Sequence, residues 1–194
     1  MRNTPDFSNN QCANAKEFEQ PHWKVIARGF ETEAWFNDGQ AKGTGGILIP
    51  EETRMPAGSY YYRFANSTSK RWAQLGGGWW VDFEAFKAIE DFAKKNGYRV
   101  KDAARLMLAL PYSWTKVDLL IRAFLKFPLR AYTGLGKVAQ GGPGEADRGT
   151  MWIPTQHIRV RQLYVPGLYV KGREEREQLY ERVFEQPPEI TELR

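Results

Sequence analysis

Between Ser59 and Lys95 the chain passes through a series of local signals whose order admits few folds. Ser59–Ala65 (SYYYRFA) is a run of consecutive aromatic residues, which favours a strand because such rings pack well on a pleated surface. Alternation places Tyr60, Tyr62 and Phe64 on one face of that strand and Tyr61, Arg63 and Ala65 on the other. Asn66–Lys70 reads as a polar turn, and Leu75–Val81 (LGGGWWV) feeds three glycines into a short aromatic strand. Asp82 then stands where a helix needs an N-cap, Phe83, Phe86, Ile89 and Phe92 recur on one face, and Asn96-Gly97 supplies a left-handed stop. A helix over Phe83–Lys95 follows. Strand, turn, strand and helix this close together predict an α+β fold.

The rest of the chain is read in the same way. Residues 1–20 are polar and Asn-rich and predict a flexible arm, with a single domain over 21–194. His22–Ala34 alternates and predicts a strand with Trp23, Val25 and Ala27 on one side. Lys101–Leu110 predicts a short helix ending at Pro111. Ser113 caps a helix running to Phe127, with Val117, Leu120, Ile121 and Phe124 as its apolar stripe. Gly134–Gly149 predicts a mobile loop. Trp152-Ile153 and Ile158–Val165 predict strands, the second carrying Arg159, Arg161 and Gln162. Residues 172–185 predict a charged helix docked by Leu179, Val183 and Phe184, ended by Pro187-Pro188. The expected architecture is a twisted, antiparallel, split sheet flanked by three to four helices.

Composition narrows the chemistry. Cys12 is the sole cysteine and His22 and His157 the sole histidines, so an internal disulfide, a cysteine-based zinc site and a three-histidine metal site are all excluded. No metal ligand set is selected. MRNTPDFSNN has no apolar signal region, and the apolar stretch from Val117 to Leu129 is interrupted by Arg122, Lys126 and Pro128. A cytoplasmic site of action without a membrane partner is therefore expected, in the producing cell or in a target cell reached by a specialised secretion route. A net charge of +5 favours an anionic partner, and an aromatic content of 14% with seven tryptophans offers flat surfaces for stacking a nucleobase or nicotinamide ring.

The glycines of Gly76–Gly78 lack the Gly-Lys-Ser/Thr of a phosphate loop and the spacing of a dinucleotide fingerprint. No GxSxG elbow marks a nucleophile. What remains is a set of residue types suited to cleaving the N-glycosidic bond of NAD. Arg63 offers a bidentate clamp for pyrophosphate, Ser67 and Ser69 hydroxyls for a ribose, and Tyr62, Trp79 and Trp80 rings for stacking. Glu84 offers a carboxylate for an oxocarbenium-like centre. Over Tyr60–Glu90 the chain resembles the ADP-ribosyltransferase superfamily and its RES-type NAD-degrading toxin relatives. Tyr62-Arg63 resembles the aromatic-Arg strand, Ser67-Thr68-Ser69 the Ser-Thr-Ser string, and Gly77-Gly78-Trp79 with the acidic helix the RES-like part. The resemblance implies a split antiparallel sheet, NAD as substrate, a macromolecular acceptor, and a toxin or effector role. The late Glu-x-Glu or Gln-x-Glu pattern is missing. Gln156 and Gln162 carry no acid two residues on, which leaves the catalytic roles to Arg63, Gln156 and either Glu84 or Glu90.

Two other readings stay open. In a non-catalytic nucleic-acid-binding protein, Lys116, Arg122 and Lys126 of the expected third helix, with Arg159 and Arg161, would contact phosphates while tryptophans stack bases. An accessory protein-interaction module would use the basic surface against an acidic partner.

Overall fold

The computed structural model describes residues 12–29, 45–112, 114–137, 139–140, 151–152, 158–168 and 173–194. It is α+β. Two antiparallel sheets carry the fold. The first has four strands in the order β1 (Glu51–Met55), β5 (Leu129–Leu135), β8 (Arg161–Tyr164) and β3 (Trp79–Trp80). The second has three, in the order β2 (Tyr60–Ala65), β4 (Leu119–Phe124) and β9 (Glu189–Glu192). A two-stranded ribbon pairs β6 (Ala139–Gln140) with β7 (Met151–Trp152). The sheets are joined at one antiparallel bridge, where Tyr62 and Val81 exchange both backbone hydrogen bonds at 2.9 Å. This is the expected split sheet, and the bridge falls within the segment that the aromatic and glycine pattern singles out.

Six helices occur among the described residues. Helix α4 (Phe83–Asn96) is built as its sequence demands. The Asp82 carboxylate accepts from the Ala85 amide at 2.8 Å, and Gly97 ends the helix in the left-handed region at φ 68°. Ala85, Phe86, Ile89 and Ala93 are buried, packing with α5 (Val100–Met107) on the Tyr62 side of the second sheet. Asp82→Ala removes the cap and is expected to cost about 1 kcal/mol, measured by urea denaturation. Helix α6 (Arg173–Val183) docks through Leu179, Tyr180 and Val183, with Phe184 just beyond, against Trp80 and β4.

Four expectations are corrected. Residues 116–127 are not a helix. Leu119, Ile121 and Ala123 are buried and alternate with half-buried Leu120, Arg122 and Phe124, so the period is that of a strand, and β4 sits between β2 and β9. His22–Arg28 is a helix, α2, rather than a strand: Trp23 and Ala27 are buried four residues apart while Val25 is 65% exposed. Residues 12–20 are not a loose arm. Cys12, Asn14 and Phe18 are buried, Phe18 on α1 (Ala15–Phe18) stacks on Tyr132 at 4.6 Å, and the Asn14 side chain bonds β5. Residues 1–11 lie outside the described residues. In the expected loop, Gly134 and Leu135 belong to β5 and Ala139–Gln140 to β6, while 141–149 lie outside the described residues. Ile153, expected to extend β7, lies outside them as well.

Candidate functional site

Where β2 and β3 meet, the glycine ribbon Gly76–Gly78 walls a cavity of about 520 Å³, within the usual range for small-molecule sites. Its lining is mostly aromatic and aliphatic, with Trp79, Tyr164, Leu108, Leu110 and Trp114 around it, and Arg63 and Gln162 bring a guanidinium and an amide to it.

Arg63 shares its strand face with Tyr61 and Ala65, both members of the main core. Its guanidinium leaves that core by lying against Gly77. Nε donates to the Gln74 carbonyl at 2.8 Å and one terminal nitrogen to the Trp79 carbonyl at 2.9 Å. A Cβ on Gly77 would stand 1.8 Å from the other terminal nitrogen, Nη2. A side chain at position 77 would displace the guanidinium from this place. No carboxylate pairs with Arg63 among the described residues. Burial pushes its pKa down to about 10, so the charge persists at neutral pH. A half-compensated cation in an apolar wall is costly unless an anion joins it.

Gly78 serves a second ring: a Cβ there would meet Tyr164 Cε2 at 2.8 Å. Tyr164 packs against Trp79 with centroids 4.9 Å apart, and Trp79 remains partly exposed to the cavity. Gln162, 8% exposed, lies two residues before Tyr164 on β8, on the same strand face, and donates from Nε2 to the Leu108 carbonyl at 3.0 Å.

The structure brings together only part of the expected set. Arg63 and Trp79 share the cavity. Tyr62 lines it, although its ring stacks on Phe86 at 4.1 Å. Trp80 borders it, but its ring is core: it is 2% exposed, stacks on Phe184 at 4.8 Å and donates from Nε1 to the Gly77 carbonyl at 2.8 Å. Ser67 and Ser69 do not line it. The Ser67 hydroxyl and amide donate to the two Asp118 oxygens at 2.6 and 2.7 Å. Partial burial pulls the Asp118 carboxyl up, and these Ser67 donors outweigh it and hold the group below its ordinary value. The Ser69 carbonyl, with those of Asn66 and Ser67, accepts from the buried Gln74 amide. The hydroxyl string is thus a structural turn.

Glu84 lines a separate, charged cleft of about 740 Å³, together with Arg122 and Arg161. Glu84 is therefore not placed to act on a group held by Arg63. Gln156 lies outside the described residues. Glu90, the other candidate acid, is half-buried on α4 and lines neither of these spaces. The expected basic stripe is dispersed along with its helix. Arg122 forks onto Glu189 at 2.8 and 2.9 Å and covers the Tyr60 ring at 3.6 Å, and Arg161 pairs with Glu51 at 2.6 Å. Lys126 Nζ donates to the Glu181 carbonyl at 3.2 Å, Lys116 lies in the loop before β4, and Arg159 is half-buried ahead of β8. Gln162, Tyr164 and Trp114 are among the cavity residues that no motif in the sequence assigns to the site. The signal available for the first two was their i, i+2 spacing on a strand.

No described helix is long and apolar enough to cross a membrane. Comparisons with protein-family models, with curated proteins and with solved structures find no match to this chain.

Proposed function

We propose that this is an NAD-processing protein whose dinucleotide occupies the Arg63 cavity, with a phosphate on the guanidinium and a flat ring against Trp79. The observation that carries the reading is the Arg63 charge, half-buried in the wall of an aromatic cavity and bonded, among the described residues, only to neutral carbonyls. A guanidinium so placed suits a phosphate, because its remaining N–H groups and its full charge are left for an anion. The described lining supports binding and orientation. It contains no carboxylate to stabilise an oxocarbenium-like centre, so the bond-cleaving acid is not assigned to Glu84. The proposed place of action is the cytosol, in keeping with a lone, buried cysteine.

Calorimetric titration with NAD and with ADP-ribose tests the reading. Both are expected to bind, and Arg63→Met, verified as folded by circular dichroism, is expected to weaken both by at least about tenfold, the loss of one charge-assisted contact. Equal affinity in the variant, or no saturable binding to the native protein, overturns it. Nicotinamide release, followed alone and with cell extract, separates water from a macromolecule as the acceptor.

A further inference from the structure

We infer that Gln162 is the residue that recognises the ring end of the ligand, accepting a hydrogen bond from a primary carboxamide on an aromatic ring. This rests on the reading of the cavity as a dinucleotide site and adds what its second polar group selects. The Gln162 amide is 8% exposed and faces the cavity. Its orientation is fixed by chemistry, because the Leu108 carbonyl 3.0 Å away accepts and so must face the NH2 end. Oε1 is thereby left as the acceptor, and among the described residues the one hydrogen bond of this amide is the Nε2 bond to Leu108. The side chain is also held from behind. A Cβ on Gly136 would lie 2.4 Å from Gln162 Nε2, so the glycine makes room for the amide.

An acceptor set in a wall of rings selects for an N–H donor on a flat ligand and against an isostere lacking one. With Arg63 as the donor end and Gln162 as the acceptor end, the cavity matches a ligand that is anionic at one end and carries an uncharged amide at the other. A nicotinamide ring with its carboxamide is such an end.

The test compares ligands that differ in a single group. NAD and its 3-acetylpyridine analogue differ only by NH2 against CH3, as do free nicotinamide and 3-acetylpyridine. The native protein is expected to bind the amide member of each pair roughly tenfold more tightly, the difference made by one buried hydrogen bond. Gln162→Leu is expected to bring the members of each pair to equal affinity. Equal affinities in the native protein overturn the role of Gln162, and if NAD still binds in an Arg63-dependent way the dinucleotide reading stands. Discrimination between the free rings without NAD binding supports Gln162 and overturns the phosphate role of Arg63. Binding of none of the four overturns both. The comparison in the native protein decides the matter even where Gln162→Leu fails to fold.

Discussion

Replacing Gly77 with alanine is expected to destabilise the protein by about 1–3 kcal/mol and to abolish anion binding in the cavity, although the added group is a single methyl. The new Cβ would lie 1.8 Å from Arg63 Nη2, 2.0 Å from Cζ and 2.2 Å from Nη1. Those contacts cannot be relieved by a small shift, since the methyl meets the guanidinium across its whole head. The arginine must move, and its bonds to the Gln74 and Trp79 carbonyls then break. Each is a hydrogen bond from a charged donor, worth about 1.5–3 kcal/mol. Alanine at a non-strained position would itself stabilise by roughly 0.4–1 kcal/mol through the unfolded chain, so the observed loss is a net figure. A double-mutant cycle isolates the cause. In an Arg63→Ala background the Gly77→Ala penalty should fall to less than about 1 kcal/mol. A penalty unchanged in that background would place the clash elsewhere and remove the argument that the glycine exists for the arginine.

The glycine ribbon shows what could be read in the sequence and what could not. The Trp79-Trp80 strand and the Asp82 cap follow from local rules. The strand β2, the cap and the Gly97 stop are all decided within a few residues of themselves, and these are as expected. The identity of the groups that need Gly77 and Gly78 was not local. Arg63 and Tyr164 lie 14 and 86 positions from the glycines they touch, and only the folded sheet brings them there.

Residues 116–127 are ambiguous in sequence for a different reason. Val117, Leu120, Ile121 and Phe124 fit a helical period, and Leu119, Ile121, Ala123 and Leu125 fit a strand period equally well. The choice was made by partners outside the window, β2 on one side and β9 on the other, and by Glu189, which lets Arg122 sit on a sheet face. With the strand, the basic stripe disappeared. The Ser-Thr-Ser string resembled a ribose-binding element by its residue types, yet Asp118, across the sheet and 51 positions away, claims the Ser67 hydroxyl. Gln162 has no signature in the sequence, because a single amide on a strand acquires a role only through its neighbours Leu108 and Gly136.

The docked N-terminal segment yields the other large effect. Asn14 is fully buried, and its amide behaves as a stand-in for a backbone peptide. Nδ2 donates to the carbonyls of Arg130 and Pro166 at 2.9 and 2.8 Å, while Oδ1 accepts from the Arg130 amide at 2.9 Å. It thus completes the hydrogen bonding of β5 at Arg130, where the pairing with β8, which begins at Tyr132, no longer reaches. Around it the Ala13 amide donates to Pro128 at 2.9 Å and the Arg130 guanidinium lies 4.0 Å over the Phe18 ring. Asn14→Ala leaves these backbone groups buried without partners and is expected to cost about 2–3 kcal/mol. Asn14→Asp is expected to cost more at neutral pH, about 3–5 kcal/mol, because a carboxylate oxygen then faces two carbonyl oxygens in a buried site. The sign of its pH dependence follows. Burial and the facing carbonyls raise the folded-state pKa of the new carboxyl above its unfolded value near ~4. Its protonated form, which restores one donor, therefore recovers stability fully below the unfolded value, and that recovery is lost as pH rises through the folded value. Denaturant midpoints of the two variants relative to the native chain at pH 4 and pH 7 distinguish the cases: the Asp variant's deficit should shrink at pH 4, and the Ala variant's should not. Deficits below about 1 kcal/mol in both would mean that residues 12–20 are the loose arm their composition suggests.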